Sequence, residues 1–290
     1  MPVIGSPSME YVSCNGLRVA FRHAGSGPAL VFVHGLLGYS FSWRNVIPML
    51  ARDREVFAPD MPGAGFSECR VDLDCRLASA ADRLLSFLDA ARIDSCDLVG
   101  SSYGGATAVM LAARQPVRVG NLVLVSPANP WSKVGRKRLA LLRNSGVRHL
   151  FPRIARTARP MHRYFVRRMW GDPAAVTEET LSGYSQPLLR PGIFEHAVRI
   201  VQSWNADMAE FEASLPKISH IRTLLVWGSR DRVVAPPSAE ILQRSLPGSR
   251  IAIIEDAGHL PYEERPEEFS RIVHKFLLKH FPSGATRKVT

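Results

Sequence analysis

The sequence predicts a doubly wound α/β protein with a mostly parallel sheet and an inserted helical segment. Three observations predict it. Short, continuous apolar runs read as strands covered on both faces, helical stripes separate them, and the alternation is broken once by a long basic stretch with helical spacing. The chain has 290 residues, 46% of them hydrophobic, enough for one large core or a core plus an inserted subdomain.

Taken in order, Asn15-Gly16 lies between two stretches of polar–apolar alternation, Tyr11–Cys14 and Leu17–His23, which is a hairpin signal. The apolar runs follow at Ala29–Val33, Val56–Ala58, Leu98–Val99, Leu122–Val125, Leu224–Trp227 and Ile251–Ile254. Helical stripes fall on Leu77, Ala81, Leu84, Leu85 and Leu88, on Ala106, Val109, Met110 and Ala113, and on Phe269, Ile272, Val273, Phe276 and Leu277. The alternation stops after Val125 and resumes near Arg222. The expected organisation is therefore a core of residues 1–130 and 212–290 with a helical, strongly basic insertion over 131–211. The tail after Phe281 is expected to fray.

Composition excludes several classes. No apolar run approaches the length of a membrane span. The N-terminus has neither the basic start nor the apolar stretch of a secretory signal. The cysteines Cys14, Cys69, Cys75 and Cys96 show no metal-ligand spacing, and four in a chain of this length do not suggest a disulfide framework, so a reduced, cytoplasmic protein is expected. Of the formal charge of +11, an excess of ten lies between Trp131 and Ile200, where fourteen Lys or Arg face four Asp or Glu. No nucleic-acid-reading module accompanies this charge, and nucleic acid is not expected as a partner.

The stretch LVGSSYGGA, Leu98 to Ala106, places two serines in the turn between a strand and a helix. In an open parallel sheet such turns at the carboxyl ends of strands gather ligands. A residue held in a sharp strand-to-helix turn needs small neighbours two positions away on each side. Ser102 has Gly100 and Gly104 there, whereas Ser101 has Val99 and Tyr103. Ser102 is thus the candidate nucleophile, in a Gly-X-Ser-X-Gly arrangement, and Gly105 permits close packing of the helix.

A serine hydroxyl needs a base, and the base an orienting acid. Of nine histidines, His274 and His280 lie on the last amphipathic stretch and His149, His162 and His196 in the basic insertion. His259 stands out, because it follows the strand Ile251–Ile254 in a turn before the final helix. Asp231 and Asp60 both follow strands, while Asp256 is too near His259 in sequence to reach its ring comfortably. The turn after the strand Leu122–Val125 offers Asn129 and no acid. Charge developing on a carbonyl oxygen needs fixed backbone N–H donors. Tyr103, opening a helix, is one candidate, and Leu36 in the loop HGLLG is the other. His34 reads as a structural hydrogen-bonding residue.

Together FVHGLLG, APDMPGAGFS, LVGSSYGG, LLVWGSRDRVV and DAGHLPYEERPEEF resemble the motifs of the α/β-hydrolase superfamily, in its order and spacing, through the whole non-inserted chain. The resemblance implies the α/β-hydrolase fold and the order nucleophile, acid, base, which selects Ser102, Asp231 and His259 as the triad. It makes Asp60 to Ser67 a structural turn and the segment after Ser126 a helical cap. Serine at 102 separates the chain from the haloalkane dehalogenases and soluble epoxide hydrolases, which use aspartate there. Hydroxynitrile lyases rely on a lysine near the base, where this chain has arginines. Carbon–carbon bond hydrolases of ring-cleavage products keep Ser-Asp-His but typically carry another oxyanion loop and an Asn before the serine, here Ser101.

The resemblance therefore implies a carboxylesterase- or lipase-like serine hydrolase acting through an acyl-enzyme on a small, apolar ester, with no metal or organic cofactor. The alternatives are a carbon–carbon bond hydrolase and a slow-turnover ligand receptor on the same scaffold. A basic lipid-surface or nucleic-acid binding protein with a vestigial triad ranks below these. The segment VRHLFPRIARTARPMHRYFVRRMW, Val147 to Trp170, mixes arginines with Leu150, Phe151, Ile154, Met161, Phe165 and Trp170. It reads either as a cap whose arginines snorkel to solvent or as a surface for peripheral contact with anionic membrane.

Overall fold

The computed structural model describes residues 8–132 and 145–278. The tail expected to fray lies outside these residues, as do residues 133–144 of the insertion. The first two strands, β1 (Ser8–Cys14) and β2 (Leu17–Gly25), form the expected hairpin with Cys14 opposite Leu17. Asn15 and Gly16 both take positive φ, 48° and 79°, as a two-residue turn matching the strand twist requires. Next come β3 (Ala29–Val33), β4 (Glu55–Pro59), β5 (Cys96–Ser101), β6 (Val119–Val125), β7 (Arg222–Gly228) and β8 (Arg250–Ile254). They form one eight-stranded sheet in the order β1-β2-β4-β3-β5-β6-β7-β8, antiparallel at β1–β2 and β2–β4 and parallel elsewhere. This is the α/β-hydrolase fold.

The parallel strands are apolar throughout because successive side chains enter opposite layers. Val31, Val33, Leu98, Leu122, Leu124, Leu225 and Trp227 pack under α2 (Leu77–Ala90) and α3 (Tyr103–Arg114). Their neighbours Leu30, Phe32, Val99, Val123, Val125, Leu224 and Val226 pack on the other face, with α1 (Ile47–Leu50) and the C-terminal helix. All of Tyr103 to Ala112 is buried, which explains the small residues of YGGATAVMLAA: a central helix pressed against the sheet has room for little else. β8 departs from the two-sided expectation. It forms the edge of the sheet, and Ile253 is 40% exposed.

Between β6 and β7 the described chain is helical: α4 (Ser145–Thr157), α5 (Arg159–Met169), α6 (Glu178–Leu188) and α7 (Ile193–Ser214). Thr177 caps α6, its hydroxyl accepting the Thr180 N–H at 3.1 Å. Ala155, Leu188, Ile193 and Phe194 form a separate apolar cluster against Leu37 of the HGLLG loop. α7 reaches down to the core, placing Ile200, Met208 and Phe211 beside α3. After β7 come α8 (Ser238–Ser245), α9 (Pro261–Glu264) and α10 (Pro266–Leu278). Among the described residues no helix is long and apolar enough to cross a membrane, and none of the four cysteines is disulfide-bonded.

Candidate active site

Ser102 links β5 to α3 with φ 52° and ψ −118°, a strained conformation for a residue with a side chain. The surroundings hold it there. Its N–H donates to Val125 O at 2.9 Å, and its carbonyl accepts from Gly105, Ala106 and Ala128. A Cβ on Gly100 would lie 2.5 Å from Gly104 O, and one on Gly104 would lie 2.3 Å from Val33 O. Both flanking glycines are thus required by close backbone approach. Ser101, by contrast, is fully buried, and its Oγ accepts the Tyr262 hydroxyl at 3.2 Å.

The loop after β3 passes beside this serine. A Cβ built on Gly35 would stand 3.1 Å from Ser102 Cβ and 3.8 Å from Oγ. The loop closes as a turn, Gly38 N–H to Gly35 O at 3.0 Å, with Leu37 at φ 60°. His34 braces it: Nδ1 lies 2.9 Å from Gly35 O while Nε2 accepts the Met61 N–H at 2.9 Å. Burial lowers the His34 pKa, consistent with a neutral ring bridging a carbonyl and an N–H. Leu36 sits in this turn, and Tyr103 opens α3. Neither N–H has a hydrogen-bond partner among the described residues, as expected for Tyr103 at the first position of its helix.

Asp231 follows β7 and His259 follows β8, and the two meet with Oδ2 to Nδ1 at 2.8 Å. Asp231 Oδ1 accepts the N–H groups of Val233 (2.7 Å) and Val234 (2.9 Å). Burial opposes ionisation of this carboxyl, but His259 and the two N–H donors outweigh it and hold its pKa below the usual value. A carboxylate at Oδ2 assigns the ring proton to Nδ1 and leaves Nε2 as the basic atom. Among the described residues His259 and Ser102 form no hydrogen bond; the contact formed is Asp231–His259. The His259 turn borders the elbow through the Tyr262–Ser101 contact.

The other carboxylates that follow strands have different partners. Asp60, fully buried, accepts the N–H groups of Ser40 (2.7 Å) and Phe66 (2.8 Å) and shapes the turn to Ser67. Asp256 pairs with Arg230 at 2.6 Å on the surface. Asn129 ties the turn after β6 to Ser238 and to the N–H groups of Trp131 and Ser132.

Two residues that the sequence did not single out hold the site to the inserted helices. Glu264 accepts the Gly258 N–H at 2.7 Å and the Gly171 N–H at 2.8 Å, joining the His259 turn to the end of α5. The His259 N–H itself donates to Met169 O at 2.7 Å. Glu263 takes Arg44 (2.6 Å) and the Tyr184 hydroxyl (2.7 Å), tying α6 to the core. Burial raises the pKa of both acids. Their only trace in the sequence is a pair of acids, PYEERPEEF, right after the turn histidine.

The profile of the α/β hydrolase fold family matches residues 28–266, and the chain belongs to that family. Among similar proteins is an uncharacterised one from Mycobacterium tuberculosis, 28% identical over 285 residues that cover 94% of this chain and 82% of that one. A 2-hydroxymuconate semialdehyde hydrolase of Pseudomonas sp. is 28% identical over 270 residues, 90% of this chain and 91% of its own. A bacterial membrane phospholipase A of known structure superposes with a TM-score of 0.76 at 26% identity, covering 94% of this chain and 86% of that one.

Proposed function

We propose that this hydrolase cleaves carboxylic esters through an acyl-enzyme, with Ser102 as nucleophile, His259 as base and Asp231 as orienting acid. The observation that carries the reading is the buried Asp231–His259 pair, in a chain whose strand-to-helix turn locks Ser102 at positive φ. His259 Nε2 takes the Ser102 proton as Oγ attacks the ester carbonyl, with the N–H groups of Leu36 and Tyr103 facing the oxyanion. The imidazolium, held by Asp231, then protonates the leaving alcohol. Deacylation repeats the sequence with water as nucleophile. The inserted helices act as a cap whose apolar cluster against Leu37 excludes water from the acyl group.

Hydrolysis of p-nitrophenyl esters of increasing acyl length, with Ser102→Ala alongside, tests this. Turnover that falls by about a thousandfold or more in the variant supports it; equal turnover, or none at any length, overturns it. The second reading is carbon–carbon bond hydrolysis, favoured by the likeness to the semialdehyde hydrolase. Cleavage of 2-hydroxy-6-oxodienoates in preference to esters would establish that reading instead. The likeness to a phospholipase favours long acyl chains within the ester reading.

A further inference from the structure

The outer side of α5 has no role in the chemistry just described. Arg163, Tyr164, Arg167 and Arg168 line a groove of about 520 Å³ there, closed on the core side by Arg232, the residue after Asp231. Four guanidinium groups share one acid. Glu178 accepts two 2.6 Å hydrogen bonds from Arg163 and lies 3.9 Å from Arg167, and Arg168 and Arg232 have no acidic partner among the described residues. The groove is open and strongly positive.

The same helices expose apolar side chains in an unusual concentration. Of the ten exposed large hydrophobic residues among those described, four fall between positions 150 and 165: Leu150, Ile154, Tyr164 and Phe165. Leu150 and Ile154 sit one turn apart on α4, which packs against α5, and Tyr164 meets Phe165 edge-on at 5.7 Å. Exposed apolar residues are normally scattered, so four of them on the two packed helices that also carry these arginines mark an interaction site. A soluble anion would account for the arginines and leave Leu150 and Ile154 in water. A nucleic acid would use the arginines and Tyr164 and do the same. A bilayer surface with anionic headgroups satisfies both sets at once, with phosphates in the groove and the apolar side chains at the acyl boundary.

We propose that the outer face of α4 and α5, centred on the Arg163–Arg167–Arg168–Arg232 groove, is a docking surface for membranes containing anionic phospholipid. The surface lies close to the catalytic machinery. α5 ends at Met169, whose carbonyl holds the His259 N–H at 2.7 Å, and Arg232 belongs to the Asp231 loop. A membrane bound here adjoins the two loops that carry Asp231 and His259. The inference concerns binding and does not depend on the ester reading.

Co-sedimentation of the full chain with vesicles tests it, using phosphatidylcholine alone and phosphatidylcholine mixed with phosphatidylglycerol. The expected result is binding to the mixed vesicles only, weakened at high salt. Arg167→Gln/Arg168→Gln should weaken it by about tenfold or more, since each basic residue near such a surface contributes about fivefold. Leu150→Ser/Ile154→Ser, at exposed positions that leave the core untouched, should weaken binding while thermal unfolding stays unchanged. Equal binding to neutral vesicles, or binding insensitive to both double variants, overturns the proposal. So does failure to bind vesicles while inorganic phosphate or an oligonucleotide is retained. Because Ser102→Ala must bind as the parent does, loss of the esterase reading would leave this result standing.

Discussion

Asp231 and His259 are joined by a 2.8 Å contact, and side-chain exposure is nil for the acid and 3% for the base. The carboxylate's other oxygen is committed to two backbone N–H groups, so its orientation is set by the main chain after β7. Asp231→Asn keeps the shape and loses the charge, and an amide at Oδ2 turns the ring toward the wrong tautomer. Turnover of a p-nitrophenyl ester should fall by about four orders of magnitude with little change in KM. Steady-state kinetics on the purified variant checks this.

The elbow makes a second, purely steric prediction. Gly104→Ala places a Cβ within 2.4 Å of the carbonyl oxygens of both Val33 and His34. These are backbone atoms at the ends of a central strand and cannot step aside. The variant should lose about 3 kcal/mol, read as a shift in the urea midpoint, and should be inactive even where folded. Gly16→Ala, where the added Cβ meets nothing within 4 Å, carries only the cost of positive φ and should leave activity intact.

Glu264 separates positioning from chemistry. Glu264→Gln retains one acceptor oxygen for two N–H donors, and its own NH₂ group then faces one of them. The His259 turn should shift relative to α5, and kcat should fall by about tenfold or more, since small misplacements of a catalytic group are costly. Thermal unfolding should show a loss of about 1–3 kcal/mol from the unsatisfied donor. Assaying well below the unfolding transition distinguishes misplacement from partial unfolding.

His196 gives a pH dependence of stability. Burial is the main cause that lowers its pKa from 6.5 to about 4, with Arg83 and Arg199 adding to it. The ring is neutral in the folded chain and takes a proton in the unfolded one below about pH 6.5. The stability it supports is complete above that pH and is lost as pH falls, until the folded form protonates near 4. The loss is about 3 kcal/mol over the interval. Thermal or urea unfolding from pH 7 to 4 should show a shallower decline for His196→Gln than for the parent.

The sequence disclosed some of this architecture and concealed the rest, for physical reasons. Strands such as Leu122–Val125 were legible because burial on both faces leaves no polar positions. Ser102 was legible because the turn it occupies excludes side chains at Gly100 and Gly104, an imprint that a sequence retains. Ile253 misled, because an edge strand is apolar like its neighbours yet half uncovered. Glu263 and Glu264 were hidden, since acids after a turn read as solvated helix starts. Only tertiary structure brings Arg44, Tyr184, Gly171 and Gly258 to them. The groove on α5 was visible as charge and aromatic content, but its enclosure by Arg232, some sixty residues away, was not.

The meeting of Gly171 and Gly258 limits how this protein can be re-engineered. A Cβ on Gly258 would stand 2.5 Å from Gly171 N, and one on Gly171 would stand 2.1 Å from Asp256 O. The inserted helices are therefore not a cassette to be exchanged for a relative's at matching end points. A graft must arrive with a glycine where Gly171 lies and a free carbonyl where Met169 lies, or the donor segment will displace the His259 turn. Chimaeras that ignore this seam should disturb the Asp231–His259 contact, and grafts that keep Met169 to Gly171 from the parent should preserve it.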